Sequence, residues 1–438
     1  MRLSRRTAVG AAILASSASL ALVLSGCAAG GGDTTTDDTT PVTLTITTFG
    51  TMGIDANYDA YMKLHPNVTI EATNLADGGS ARDDAYAKIA AGTGLSDIVA
   101  IEEGWLSSIR DVSDSFEDLN DYGFADAAKS AGFLDWKVAQ GTDASGRVFG
   151  VPLDIGPEGL CYRGDLFAAA GLPSDRDAVR DLFGGDNATW AKYYEVGAQY
   201  QAATGKPFFH NPSFQWNAFV NQLDEGYYKS DGTTLNIEDN QAMKDQLSLI
   251  VDNAKEGAGL PAWGVGDQAK KDLFATYICP SWMLGVVSGY YDAGTTDSGW
   301  DFADVMPGGS ANWGGSFLGV AASSEHKKAA AALALWLAAP EQNKVSFEAA
   351  GPFPSSTEGQ KLVADSTNPF FNNAPVGAIF GSRSQGVVAQ VKGSEDSVIQ
   401  DNVFGAVLDK ISQGDIKTGD AAWAAAMDLL HQLVPESN

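Results

Sequence analysis

The run Glu102-Glu103-Gly104-Trp105 sets two carboxylates and an indole within four positions. Carboxylates accept protons from hydroxyl groups, and an aromatic plane stacks on flat C–H faces. The cluster therefore suits recognition of a small polyhydroxylated molecule. All ten tryptophans lie at or after Trp105, and most tryptophans serve simply as core, so location has to choose among them. Here the location is informative: Asp97-Ile98-Val99-Ala100-Ile101 reads as a short buried strand, and in open α/β sheets ligands gather just beyond the carboxyl ends of strands. The competing reading of this run is a solvated acidic loop.

Other chemistries lack their residues. The four histidines, at 65, 210, 326 and 431, have no spacing that would bring two to one metal, and there is no CxxC pair. There is no Gly-x-Ser-x-Gly elbow and no Walker loop. Trp263 is followed by Gly-Val-Gly-Asp-Gln-Ala, part of a dinucleotide fingerprint, but no β-branched strand leads into it and Pro261 stands beside it, so it reads as a loop. No cofactor, no metal and no catalytic activity are expected. With 55 acidic residues, a surface glycoside hydrolase working through two carboxylates remains the alternative.

The elements that must position these groups alternate along the chain. Val42 to Phe49, VTLTITTF, has the period-two pattern and β-branched content of a strand. A helix from Asp55 to Leu64, a strand from Val68 to Ala72, a helix from Ala81 to Ala91 and the strand at 97–101 follow. Further helices are expected at 165–170, 190–203, 241–255, 326–337 and 419–433, with short strands at 148–153 and 317–321. This is an α/β chain, and the alternation predicts a largely parallel sheet. No solenoid repeat and no linker after Pro41 divide it, which favours two lobes sharing several crossings.

The N-terminus reads as an address. Arg2, Arg5 and Arg6 precede an apolar, small-residue stretch from Thr7 to Leu24, as in an export signal, by either the general or the twin-arginine route. Leu24-Ser25-Gly26-Cys27 resembles a bacterial lipobox, which implies cleavage after residue 26 and a lipid on Cys27. Ala28 to Pro41 is a low-complexity tether with a reach on the order of 20 Å. The expected location is the extracytoplasmic face of the cell membrane. The formal charge of −27, or −30 without the three leader arginines, repels polyanions, so no nucleic-acid partner is expected. Cys161 and Cys279 could pair in an oxidising compartment or stay as buried thiols.

From Arg147 the run RVFGVPLDIGPEGLCYRGDLFAAAGLP resembles the crossing between lobes in the sugar-specific extracellular solute-binding proteins of ATP-binding-cassette importers. Gly150, Pro152, Leu160, Tyr162, Asp165, Leu166, Phe167, Gly171 and Pro173 fit that pattern, while Arg163 stands where Asn is usual. Trp190, the turn Pro280-Ser281-Trp282, the glycines 308, 309, 314 and 315, the Glu325–Pro340 helix and Gly351-Pro352-Phe353-Pro354-Ser355 extend the match over nearly the whole body. The resemblance implies a two-lobed fold of the periplasmic-binding-protein type II (Venus flytrap) class closing on its ligand. Residues 42–151 with 315–352 would form the first lobe, and 152–314 with 353–438 the second. It implies a carbohydrate ligand, permease subunits as partners and a monomer.

As ligand contacts the resemblance points to Trp282 as a stacking residue and to the Glu102–Trp105 loop. Asp154 would face the cleft from the hinge, with Trp216 and Trp313 as further aromatic candidates. The doublets Tyr193-Tyr194, Tyr227-Tyr228 and Tyr290-Tyr291 resemble paired tyrosines of ferric-ion-binding relatives, but the sugar-type crossing argues against iron. A peptide- or iron-binding role is the other alternative.

Overall fold

The computed structural model describes residues 40–262 and 273–434. The export signal, Cys27, nearly all of the tether and the loop after Trp263 lie outside those residues.

In strand β1 (Val42–Phe49) the period-two pattern does what it predicts. Leu44 and Ile46 are fully buried on one face. On the other, the Thr45 hydroxyl donates to Asp97 Oδ2 at 2.8 Å and Thr47 lies 2.7 Å from Ser96 Oγ. Strand β1 pairs in parallel with β2 (Val68–Leu75) and with β3 (Ile98–Glu102). Beside β3 run β4 (Val151–Pro152) and β9 (Ser316–Val320), in the order β2-β1-β3-β9-β4.

The largely parallel sheet expected from strand–helix alternation is corrected here, because β9 runs antiparallel to both β3 and β4. Alternation holds only up to β3. The chain returns to this sheet at β4, crosses to the other lobe and re-enters the sheet from there, so β9 has no crossover helix to impose a parallel direction. The strand expected at 148–153 is also shorter, and Val148 makes only an isolated bridge to Thr142.

Between β4 and β9 the chain builds β5 (Asp154–Ile155), β6 (Glu158–Arg163), β7 (Thr276–Pro280) and β8 (Trp300–Ala303). The last three form an antiparallel sheet in the order β7-β6-β8. A final short strand, β10 (Phe353–Pro354), pairs with β5. Helices Trp190–Thr204, Gln241–Asn253, Lys327–Leu337 and Gly419–Leu433 sit within about two residues of their expected spans. Three of the four starts carry side-chain caps: Thr189, Asn240 and Thr418 accept from backbone amides of the first turn.

Two bodies of apolar packing result. One surrounds the five-stranded sheet, with Ile98, Ala100, Leu318 and Leu333 at its centre and a satellite around Trp105 and Phe317. The other fills the second lobe from Ile155 to Val434. Helix Pro340–Ala350 packs in the second core and is tied to the first lobe by a polar bond. Asn57 Nδ2 donates to its Ser346 Oγ at 3.1 Å, while its Phe347 packs edge-on against Phe353 in the second core. Five of the six doublet tyrosines are buried in that second core, with Tyr291 packed at its margin. A disulfide between Cys161 and Cys279 ties β6 to β7 across 118 residues, deciding a pairing that spacing left open. Among the described residues no helix is long and apolar enough to cross a membrane.

Candidate functional site

Strand β3 is buried from Ile98 to Ile101 and delivers Glu102 at its carboxyl end, half-buried. Glu102 caps the helix Glu103–Arg110, with Oε2 accepting from Gly104 N at 2.9 Å. Burial, with Glu103 adding repulsion, pushes the Glu102 carboxyl up to about 7, against the opposing pull of the Gly104 amide and the Lys392 ammonium. A proton acceptor poised this way can bond a hydroxyl in either of its protonation states.

Glu103 turns inward and is 4% exposed. Its Oε2 takes the Lys137 ammonium at 3.0 Å and Asn312 Nδ2 at 3.0 Å, and Oε1 takes Gln140 Nε2 at 3.0 Å. Lys137 is fully buried, with Nζ 4.3 Å from the centre of the Phe317 ring. Asp154 sits across this group, its Oδ1 accepting from Ser316 N at 2.9 Å and from Ser316 Oγ. Burial raises the Asp154 carboxyl, opposed by Ser316 and Lys137. Glu103 and Asp154 thus lock the crossing segments in place.

From the second lobe, β7 ends at Pro280 and the turn presents Trp282, partly exposed. Its indole N–H donates to Trp313 O at 2.8 Å, and the two rings meet edge-to-face with centres 5.5 Å apart. Ser281 fixes the turn to the hinge by donating to Ile155 O and accepting from Phe353 N. Gly314, at φ 78°, lies where the two halves converge: a Cβ there would stand 3.1 Å from Trp282 Nε1 and 3.5 Å from Glu102 Oε1. At Gly315, φ 109°, a Cβ would press on Asp154 O and on Lys137 Nζ. Only glycine suits both the left-handed backbone and the space.

Two expected contacts are placed elsewhere. Trp105 is 1% exposed and faces the first-lobe core, beside Ile101, Ile109 and Phe317. Three positions into a helix that starts at the strand end, its side chain turns back onto the sheet instead of over the strand tip. Trp216 is fully buried, stacked on Phe404 with its N–H donating to Tyr227 Oη at 2.9 Å. Trp313 is 8% exposed, between Trp282 and Phe214.

The sequence reading missed a strap from 386 to 398 that reaches between the lobes. Gln390 anchors it to the second lobe through Val220 O and Leu223 O. On the first-lobe side, Ser107 Oγ donates to Lys392 O at 2.7 Å and Arg82 Nη1 to Ser397 Oγ at 3.2 Å. The Lys392 ammonium meets Asn221 Oδ1 at 3.2 Å, and the charges of Asp396, Glu103 and Glu102 hold its pKa up. No local pattern marks this segment, just as none marks Lys137 or Asn312 as partners of Glu103. Among the described residues no three of His, Cys, Asp and Glu are grouped to hold a metal ion.

The family model for bacterial extracellular solute-binding proteins matches residues 56–372. A solved family 1 extracellular solute-binding protein is 40% identical, with a TM-score of 0.75 over 90% of this chain and 99% of that one. The ABC-transporter-associated binding protein of B. animalis subsp. lactis Bl-04, solved with β-1,6-galactobiose, shares the fold at 18% identity, TM-score 0.74, over 90% and 98% of the two chains. The lactose-binding protein of Rhizobium radiobacter is 28% identical over 248 residues, 53% of this chain and 54% of that protein, so the chain spans about half the length of that curated relative.

Proposed function

The chain belongs to the bacterial extracellular solute-binding proteins, and from that premise we propose that it captures a sugar, an oligosaccharide in particular, and hands it to the permease of an ABC importer. The observation that carries this is the convergence at Gly314 of an indole from one lobe and a carboxylate from the other. Trp282 supplies the plane for a sugar's C–H face, and Glu102 the acceptor for its hydroxyl rim. Trp313 backs the stacking ring. Glu103 and Asp154 act one step behind, holding the crossings that set the distance between the two groups.

Within this reading the lobes divide as 42–151 with 315–352 and 152–314 with 353–438, with helix Pro340–Ala350 bridging them through Ser346 and Phe347. A ligand closes the cleft only if it binds the closed form better, so it touches both lobes. The protein works as a monomer without turnover, tethered by a lipid on Cys27 once residues 1–26 are removed.

The test is calorimetric titration with a panel of mono- and oligosaccharides, preceded by a thermal-shift screen in which a bound sugar raises the Tm. Trp282→Ala is expected to weaken the best sugar by about thirtyfold or more, as for a central aromatic anchor. Glu102→Gln is expected to weaken it less. Binding by peptides or ferric ion and by no sugar, or steady hydrolysis of a chromogenic glycoside, overturns the reading.

A further inference from the structure

The three crossings between the lobes meet around one narrow pocket. Its walls include Leu153 and Asp154 of the first crossing, Ser316 of the second, Pro352 of the third, and Asn343 and Ser346 of the bridging helix. The space open to the centre of a water molecule is ≈ 10 Å³, about the room that one water needs and too little for a larger ligand.

The polar atoms around it are out of balance in a specific way. Asn343 is 4% exposed; its Nδ2 reaches Leu337 O at 3.5 Å, and its buried Oδ1 accepts from no protein donor among the described residues. Ser346, 2% exposed, accepts from Asn57 Nδ2 at 3.1 Å, so its own hydroxyl proton is a donor. Asp154, 8% exposed, takes both donors of Ser316 on Oδ1, and a carboxylate has acceptor capacity beyond that. The site thus presents two acceptors and one donor. A water molecule offers the complement, two protons and a lone pair, and three bonds is the usual number for a buried water. Leaving the Asn343 oxygen buried without a donor carries a desolvation penalty that such a water removes.

We propose that one water is bound at this junction as a fixed part of the hinge, donating to Asp154 and to Asn343 Oδ1 and accepting from Ser346 Oγ. It joins the first crossing to the helix that leads into the third, so the crossings turn about a common point when the lobes move. The inference stands on the hinge alone and does not depend on which solute is carried.

The test is a high-resolution crystal structure of the full chain, together with Asn343→Leu and Ser346→Ala. The expected result is a peak within about 3 Å of all three residues, absent in Asn343→Leu and weakened in Ser346→Ala. In solution, hydrogen exchange of the peptides spanning 153–155 and 353–355 is expected to quicken about fivefold in Asn343→Leu, as for the loss of one hydrogen bond. Should Asn343→Leu fail to fold, Ser346→Ala carries the same comparison with a smaller change. A dry pocket in the unmodified protein, or a cation revealed there by anomalous scattering after a rubidium soak, overturns the proposal. Exchange rates that are the same in every variant that folds overturn it as well.

Discussion

Glu103 and Glu158 are both hidden from solvent, at 4% and 0% exposed, yet their surroundings are opposite. Glu103, at the hinge side of the first lobe, meets an ammonium and two amides. Glu158, in strand β6 of the second lobe, has neither carboxyl oxygen in a hydrogen bond, and burial pushes its pKa well above the ordinary value. Glu256, in the same lobe, is equally buried, also with neither oxygen paired, and its carboxyl is pushed up to about 7. Where segments cross between the lobes, the molecule surrounds a buried charge with partners. In the core of the second lobe it tolerates carboxyls that favour the protonated form.

The largest effect should come from breaking the partnered group. Lys137→Met leaves Glu103 buried without its cation and is expected to cost about 3–5 kcal/mol in urea unfolding. Replacing both, Lys137→Met with Glu103→Leu, should recover much of that loss. A single variant no less stable than the parent would show that the hinge charges are not coupled.

Glu158→Leu should move stability the other way, raising it by about 1–3 kcal/mol in the same measurement near neutral pH, because a buried acceptor pair without donors is removed. A decrease would mean that the second-lobe carboxyl has a role the contrast denies it.

A third effect appears in the pH dependence. Because the Glu256 pKa is raised from 4.5 to about 7 on folding, the folded chain holds a proton that the unfolded chain releases. Its contribution to stability is full below about pH 4.5, is lost as pH rises towards 7, and levels off above. Glu256→Gln should flatten that decline, so that Tm differs less between about pH 5 and about pH 8 than in the parent. An unchanged Tm profile would place the titration elsewhere.

The smallest expected effect is at the strap. Ser107→Ala removes one partly buried bond between the lobes and should cost about 0.5–1.5 kcal/mol of closure, seen as a severalfold faster ligand release with the fold intact. If release is unaltered, the strap is not part of the grip.

Legibility in the sequence followed the range of the interactions. The strands at 42–49 and 98–102 were readable because β-branched alternation and a short apolar run are local patterns. The helices at 190–204 and 419–433 were readable because caps and periodicity are local as well. The direction of β9 was not, since it depends on how the chain returns from the other lobe. Within the candidate site, Glu102 stood out by its place at a strand end, and Trp282 by the family resemblance of its turn. Trp105, three residues from Glu102, was expected beside it, but the helix start rotates it into the core, which no local pattern shows. Lys137, Gln140 and Asn312 are drawn to Glu103 from 34, 37 and 209 residues away, and no window of sequence contains them together.

Residue order alone determined the alternation of elements and the presence of carboxylates and indoles at their ends, because backbone propensity and apolar period act over a few residues. Which of those side chains meet, which face inward, and how three crossings come to enclose one polar pocket was decided only by the tertiary structure. Burial, charge pairing and hydrogen-bond supply depend on neighbours that the chain brings together from far apart.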